Sequence, residues 1–437
     1  MDDPIVNNAE IQAIYLAALQ TSLRPALGCT EPLTVALASA HARCWGERLA
    51  LGAMQRLDVM VSANLFKNAA GVFVPGTGMT GLPIAAAMGW YAGRAEAGLE
   101  VLADSSPEAL IQAKNLLKAQ RVRIDYQEHA DVFYTHLTAV FDKGCCEVFM
   151  GHHHDELLAV DCNQQRVFQG STQETTAEPL LESCWSIEAI VEFCQHCALE
   201  PFAFVMDSAT LNSALSQQGL TQTYGLAIGA QLRQQQQKGW LSDDLASKAM
   251  IMSASASDAR MAGAPLAAMS NSGSGNQGIA ATMPVVAVAE SLQCESSQLL
   301  RALLMSHLIA IYIKRLQSPL SALCAATTAA MGSAAAINWL LGGDVRQVQE
   351  TIRYMIGDIS GIYCDGAKPG CALKVSTAAA GAVKAALLGL SGQAPRNDGV
   401  LENSVDASLA HLGQLTHQTL QATDQQIVRW IAARAQF

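Results

Sequence analysis

Three thiols widely separated in the chain carry the most distinctive chemistry. Cys364 and Cys371 bracket the turn-rich run Tyr363-Cys364-Asp365-Gly366-Ala367-Lys368-Pro369-Gly370-Cys371-Ala372-Leu373-Lys374, and Cys324 precedes them. The Asp, Gly and Pro residues between the paired cysteines let a backbone wrap around a compact inorganic core. Cysteine thiolates hold iron-sulfur clusters, and a cluster with only three protein ligands leaves one iron open as a Lewis acid. Cluster motifs usually keep their cysteines closer together, so these residues alone leave ligation and ordinary buried thiols both open.

Two polar, glycine-rich segments accompany them. Met269-Ser270-Asn271-Ser272-Gly273-Ser274-Gly275-Asn276-Gln277-Gly278 leads directly into the apolar run Ile279 to Ala289, so its amides and hydroxyls at a helix start can form an anion pocket. Ser62, Asn64, Lys67 and Asn68 precede Val74-Pro75-Gly76-Thr77-Gly78, a loop whose backbone can approach a ligand closely.

Other features read as structural. His152-His153-His154 is a solvated run, because adjacent histidines point in different directions. Cys194-x-x-Cys197 lies in a helical stretch with no second pair at zinc-finger spacing. Cys44, Cys145, Cys146, Cys162, Cys184 and Cys294 receive no role. The Gly76-x-Gly78 loop lacks the full dinucleotide fingerprint, and no Walker-type lysine motif is present.

The elements that must position these groups follow from periodicity. Ile11 to Gly46 reads as helix, broken at Arg24-Pro25 and Gly28, which puts Cys29 at a helix entrance. Leu57 to Ser62 alternates as a strand. A helix over Pro107 to Ala119 is followed by strand-like runs Val122–Tyr126, His136–Phe141, Glu147–Phe149 and Leu157–Val160. A polar linker spans Thr172 to Glu178, and from Thr221 onward nearly everything reads as helix. The fold class is α+β: a mainly α-helical catalytic domain with a smaller mixed module in the N-terminal half. The expected division is a helical segment at 1–56 packing on the C-terminal domain, the small module with its Gly-rich substrate loop at 57–185, and the helical cluster-binding domain at 186–437. No internal repeat is evident.

Composition narrows the function. Of 437 residues, 50% are hydrophobic, 15% charged and 5% aromatic, so the core is built from small and aliphatic side chains. The net charge of -11 gives no global attraction for nucleic acid. The amino terminus lacks the basic region and apolar run of a secretory signal, which reads as cytoplasmic. Twelve cysteines then read as reduced thiols and metal ligands. Pro319 to Gly343 carries no charge, but its Ala, Ser, Thr and Gly content favours a buried helix pair over a membrane span.

Gly28-Cys29-Thr30-Glu31-Pro32, the Ser62 to Asn68 segment with Val74 to Gly78, the Ser270 to Gly278 loop and the Cys364 to Lys374 run together resemble the L-cysteine desulfidase family. That family is related to the alpha region of iron-sulfur-dependent L-serine dehydratases. The resemblance implies a 4Fe-4S cluster held by Cys324, Cys364 and Cys371, whose open iron takes the substrate thiol. It implies elimination from L-cysteine to hydrogen sulfide, ammonia and pyruvate, without net electron transfer. Cys29 is then a base at a helix amino terminus, where the dipole would lower its pKa, or a fourth ligand displaced by substrate. Lys67 is a second catalytic candidate. Ser62, Asn64, Asn68, Ser270, Asn271, Ser272 and Asn276 are candidates for orienting the substrate carboxylate and ammonium, against capping or turn roles for each. L-Serine as substrate, a pyridoxal-phosphate enzyme using Lys368 or Lys67, and a non-catalytic cluster-based sensor are the alternatives; a homo-oligomer is left open.

Overall fold

The structure, a computed structural model, describes residues 8–128, 131–170 and 184–434. The polar Thr172 to Glu178 linker lies outside the described residues. The first helical stretch divides where Pro25 and Gly28 demand it, into α1 (Asn8–Ser22) and α2 (Thr30–Arg48). Gly28 has φ +82°, and a Cβ there would sit 2.6 Å from Pro75 Cγ, so no larger residue fits. The interruption also holds a short strand, β1 (Pro25–Leu27), paired antiparallel with β8 (Ala267–Met269). Periodicity gave no hint of either strand.

The N-terminal module contains β2 (Met54–Ser62), α3 (Ala63–Ala69), α4 (Leu82–Ala92), α5 (Pro107–Lys118), β3 (Val122–Gln127), β4 (Thr135–Phe141), β5 (Gly144–Met150), β6 (Leu157–Cys162) and β7 (Gln165–Gln169). The six-stranded sheet has the order β3-β2-β4-β5-β6-β7. β2 and β3 run parallel, joined through the helices, and the remaining neighbours are antiparallel. β4 alternates strictly between buried and half-buried positions, because one face packs on α2.

The helical body comprises α6 (Ile187–His196), α7 (Met206–Thr221), α8 (Ile228–Gln237), α9 (Leu245–Met261), α10 (Gly275–Leu292), α11 (Ser296–Arg315), α12 (Ala325–Leu340), α13 (Val345–Ile359), α14 (Cys371–Gly389), α15 (Val405–Gln418) and α16 (Leu420–Arg434). Small residues bring these helices to backbone contact: a Cβ on Gly332 of α12 would lie 2.2 Å from the Ser306 carbonyl of α11. The uncharged stretch Pro319 to Gly343 is a loop followed by one buried helix, α12, and not the helix pair expected from its composition. By length and composition α11 and α14 are apolar enough to cross a membrane, with mean hydropathies of 1.3 and 1.4, as is the bent pair of α6 with residues 200–221. In this fold 72% of the α11 window and 56% of the α14 window are buried inside the protein.

Among the described residues two large hydrophobic cores result, with a small third cluster of Cys29, Val72 and Met261 between them and the turn before α14. One joins α1 to the helical body; the other runs from Leu33 to Cys162 and includes Val428 of α16. Within residues 8–56, α1 packs on the helical body and α2 belongs to the core of the sheet module.

Candidate active site

The short β1–β8 pairing joins two segments that sequence keeps apart. It sets Cys29, two residues beyond β1, against the Ser270 to Asn276 loop that follows β8. Further bonds lock the loop: Ser270 N and Ser272 N donate to Arg24 O and Ser22 O at 2.9 and 3.0 Å. Asn271 braces it from inside, donating to His307 Nδ1 at 3.0 Å and accepting from Gln277 Nε2 at 2.9 Å. Burial holds His307 neutral, pushing its pKa down to about 3.

A second ribbon positions the thiols. Leu323 and Tyr363 form an antiparallel bridge, Cys324 N donates to Ile362 O at 2.9 Å, and Cys364 N donates to Ala322 O at 2.6 Å. Side chains alternate along such a ribbon, so Cys324 and Cys364 share one face at diagonal positions. Cys371 opens α14, its amide bonded to Lys368 O at 2.8 Å. The intervening turn presses on α3: Gly366 has φ +91°, and a Cβ there would lie 2.3 Å from Lys67 O.

All three thiols line one cavity of about 90 Å³, together with Cys29, Glu31, Asn68, Ser272 and Asn276. Helices α2, α10, α12 and α14 all begin there, at Cys29, Ser274, Cys324 and Cys371. Their converging amide ends make the cavity favourable for negative charge.

Glu31 is the carboxylate of the site. It accepts from Asn68 Nδ2 at 3.0 Å on Oε1, and from the Cys29 thiol at 2.8 Å and the Thr30 hydroxyl at 3.2 Å on Oε2. Burial opposes its charge, yet His154, the Cys29 thiol, backbone bonding and Arg260 together hold it below the ordinary carboxyl range. Burial and then Glu31 push the Cys29 thiol well above its ordinary value. The lowering expected from the helix dipole is thus overridden, and the Cys29 proton sits on sulfur facing a carboxylate.

His154 corrects the reading of the His152 to His154 run. His152 faces solvent beside Asp131, at 3.1 Å, but His154 turns inward, is 5% exposed and lines the cavity. Its ring nitrogens lie 3.3 Å from the Thr30 and Thr34 hydroxyls, and its ring meets Phe133 edge-on. Burial lowers its pKa, against the opposing pull of the Glu31 and Asp155 carboxylates. Arg260 and Lys314 also line the cavity and escaped the sequence reading. A lone arginine in the Ala- and Ser-rich stretch Ser253 to Met261 was the available signal for Arg260.

Other candidates lie outside the cavity lining. Ser62 caps α3, accepting from Leu65 N, and donates to Val132 O at 2.6 Å. Asn64 donates to Leu320 O and to Asp424, and Lys67 is buried in an ion pair with Asp424 at 2.5 Å. Ser270 and Asn271 brace the loop as described. The Val74 to Gly78 turn closes on Gly28 through Pro75, while Met79, Thr80 and Gly81 border a separate groove of about 1310 Å³ that Lys67 also lines. Cys194 is buried and Cys197 ends α6, where Arg301 donates to both their carbonyls, in keeping with a structural role.

The donor set around the cavity is sulfur. Among the described residues no three Cys, His, Asp or Glu side chains converge on one metal ion. Cys324, Cys364 and Cys371 are soft sulfur donors lining one cavity, the donor type that an iron-sulfur cluster takes, and they would hold it. Burial, then Cys364 and Cys371, push the Cys324 thiol up to about 12, and burial with Cys364 raises Cys371. Cationic iron bound there would favour the thiolate forms of Cys324 and Cys371.

The helical body brings three cysteines and a loop of hydroxyls and amides to one cavity, and α2 brings the carboxylate of Glu31. Residues 96–429 match the serine dehydratase alpha chain family, and the chain belongs to that family. A UPF0597 protein of Aeromonas hydrophila subsp. hydrophila is 46% identical over 426 residues, covering 97% of this chain and 96% of the relative. A UPF0597 protein of Shewanella pealeana is 45% identical over 427 residues, 95% and 97% of the two chains. UPF0597 protein YhaM of Escherichia coli is 46% identical over 428 residues, 96% and 97%.

Proposed function

We propose that the protein is an iron-sulfur-dependent lyase that removes the sulfur of L-cysteine by non-redox β-elimination, releasing hydrogen sulfide, ammonia and pyruvate. The observation that carries this reading is the meeting of Cys324, Cys364 and Cys371 with the Cys29–Glu31 pair in one cavity. A four-iron four-sulfur cluster held by the three cysteines supplies, when bound, an open iron that takes up the negative charge of the departing sulfur. Glu31 Oε2 accepts the Cys29 proton, and Cys29 Sγ then takes the α-proton of the substrate. Asn68 and Thr30 fix the carboxylate for that exchange, and His154 holds Thr30 and Thr34 in place. Aminoacrylate leaves the cavity and hydrolyses to pyruvate and ammonia in water. Lys67 acts in this scheme through Asp424, as an anchor for α3.

The family match favours L-serine as a second reading, with hydroxide leaving in place of sulfide. The affinity of thiolate for iron favours cysteine. Steady-state rates of pyruvate release from L-cysteine and L-serine, measured anaerobically on iron-loaded protein, separate the two. A higher kcat/KM on serine assigns the enzyme to dehydration, and iron-loaded protein that binds cysteine without releasing pyruvate is a sensor. In this reading the enzyme is cytoplasmic, its partner is the small-molecule substrate, and neither nucleic acid nor membrane takes part.

A further inference from the structure

Arg260, near the end of α9, is 3% exposed and lines the cysteine cavity. Its one polar contact among the described residues is from Nη1 to the Met261 thioether at 3.3 Å; its buried Nε has no partner. Buried cations are normally paired, because an ionised group in a dry site is costly without a counter-charge. Glu31, the carboxylate of the same cavity, feels the Arg260 charge but makes no hydrogen bond to it, both its oxygens being engaged by Asn68, Cys29 and Thr30.

The surroundings sharpen the imbalance. A Cβ on Gly275, the first residue of α10, would lie 2.1 Å from Arg260 Nε, so the guanidinium rests on the first turn of that helix. Positive charge at a helix amino terminus opposes the dipole. An anion held between the guanidinium and the Ser272 to Asn276 loop satisfies both at once.

We propose that Arg260 binds the α-carboxylate of the amino-acid substrate and is the residue that restricts the enzyme to free α-amino acids. The proposal rests on the β-elimination reading for its choice of anion. A planar fork of donors beside loop amides recognises a carboxylate, and a thiol amine without one leaves the guanidinium unpaired. Selectivity is therefore strong, since a buried group left without its partner is penalised in full.

The test compares wild type with Arg260→Gln and Arg260→Lys, prepared anaerobically with iron content matched. The probes are L-alanine, which keeps the carboxylate but has no leaving group, and cysteamine, which keeps the thiol but has no carboxylate. Calorimetry on the wild type should show L-alanine binding that weakens about 100-fold in Arg260→Gln and less in Arg260→Lys. KM for L-cysteine should rise by a similar factor, and the wild-type preference for L-cysteine over cysteamine should collapse. Unchanged L-alanine binding in folded Arg260→Gln overturns the proposal, as does stabilisation by sulfate that L-cysteine fails to displace. Should Arg260→Gln not fold, Gly275→Ala displaces the guanidinium while keeping its charge; it should weaken L-alanine binding, and unaltered binding there overturns the proposal too. Arg260-dependent L-alanine binding without sulfide release from cysteine leaves the carboxylate site standing and removes the elimination reading. Normal cysteine turnover in Arg260→Gln does the reverse.

Discussion

Cys29 Sγ lies 2.8 Å from Glu31 Oε2 in the first turn of α2, so the thiol proton already points at its acceptor. Proton transfer by such a pair ordinarily contributes roughly 10²–10⁴-fold to a rate. Cys29→Ala and Glu31→Gln should therefore each lower kcat by that order while retaining the iron content of the wild type. Iron analysis beside kinetics checks this, and loss of iron from Cys29→Ala would make Cys29 a ligand.

The cavity thiols should behave differently. Cys324→Ala, Cys364→Ala and Cys371→Ala should each lose both iron and activity, because a cluster core needs every corner it is given. Cys194→Ala, a substitution in the helical core away from the cavity, should keep both. Colorimetric iron and acid-labile sulfide on the four variants decide the matter, with circular dichroism to confirm folding.

Lys67 and Asp424 tie α3 to α16 through a buried ion pair at 2.5 Å. Removing one partner leaves the other charge stranded, at a cost of about 3–5 kcal/mol. Lys67→Met should show this as a lower urea midpoint, and the double variant Lys67→Met with Asp424→Leu should recover much of the loss. Equal destabilisation by the single and double variants would deny the pair its role.

Asp258 offers a pH signature away from the thiols. Burial pushes its carboxyl from 3.8 up to about 6, even though it accepts the Gly229 amide at 2.9 Å. The folded state thus holds the proton more tightly than the unfolded chain. The associated stability is fully present below about pH 3.8 and is lost as pH rises through about 6. Asp258→Asn should exceed the wild type by about 3 kcal/mol near pH 8, with the gap closing toward pH 4. Urea unfolding at a series of pH values measures it, and a gap independent of pH would contradict the assignment.

Much of this architecture is written in local signals. Pro25 and Gly28 announce the break before α2, and the alternation over Leu57 to Ser62 marks the end of β2. The apolar run after Gly278 marks α10, so the placement of Cys29 and Ser274 at helix starts follows from short-range rules. The missed features depend on contacts between distant segments. β1 and β8 are three-residue strands with no periodicity of their own, and each exists because the other is there. The Leu323–Tyr363 bridge is likewise a pairing with no local signature. His154 differs from its neighbours only in the direction its turn gives it, and Arg260 only in having been buried. The Lys67–Asp424 ion pair joins positions 357 residues apart, so no local pattern announces it.

The placement of Val428 in the core of the sheet module has a consequence in time. During synthesis that core lacks a wall until α16, the last described helix, emerges from the ribosome. Strand pairing can begin early, but α3 gains its anchor only then, and with it a fixed position beside the turn that carries Cys364 and Cys371. On the proposed function, a cluster at those cysteines would be seated only once α16 has packed against the sheet module.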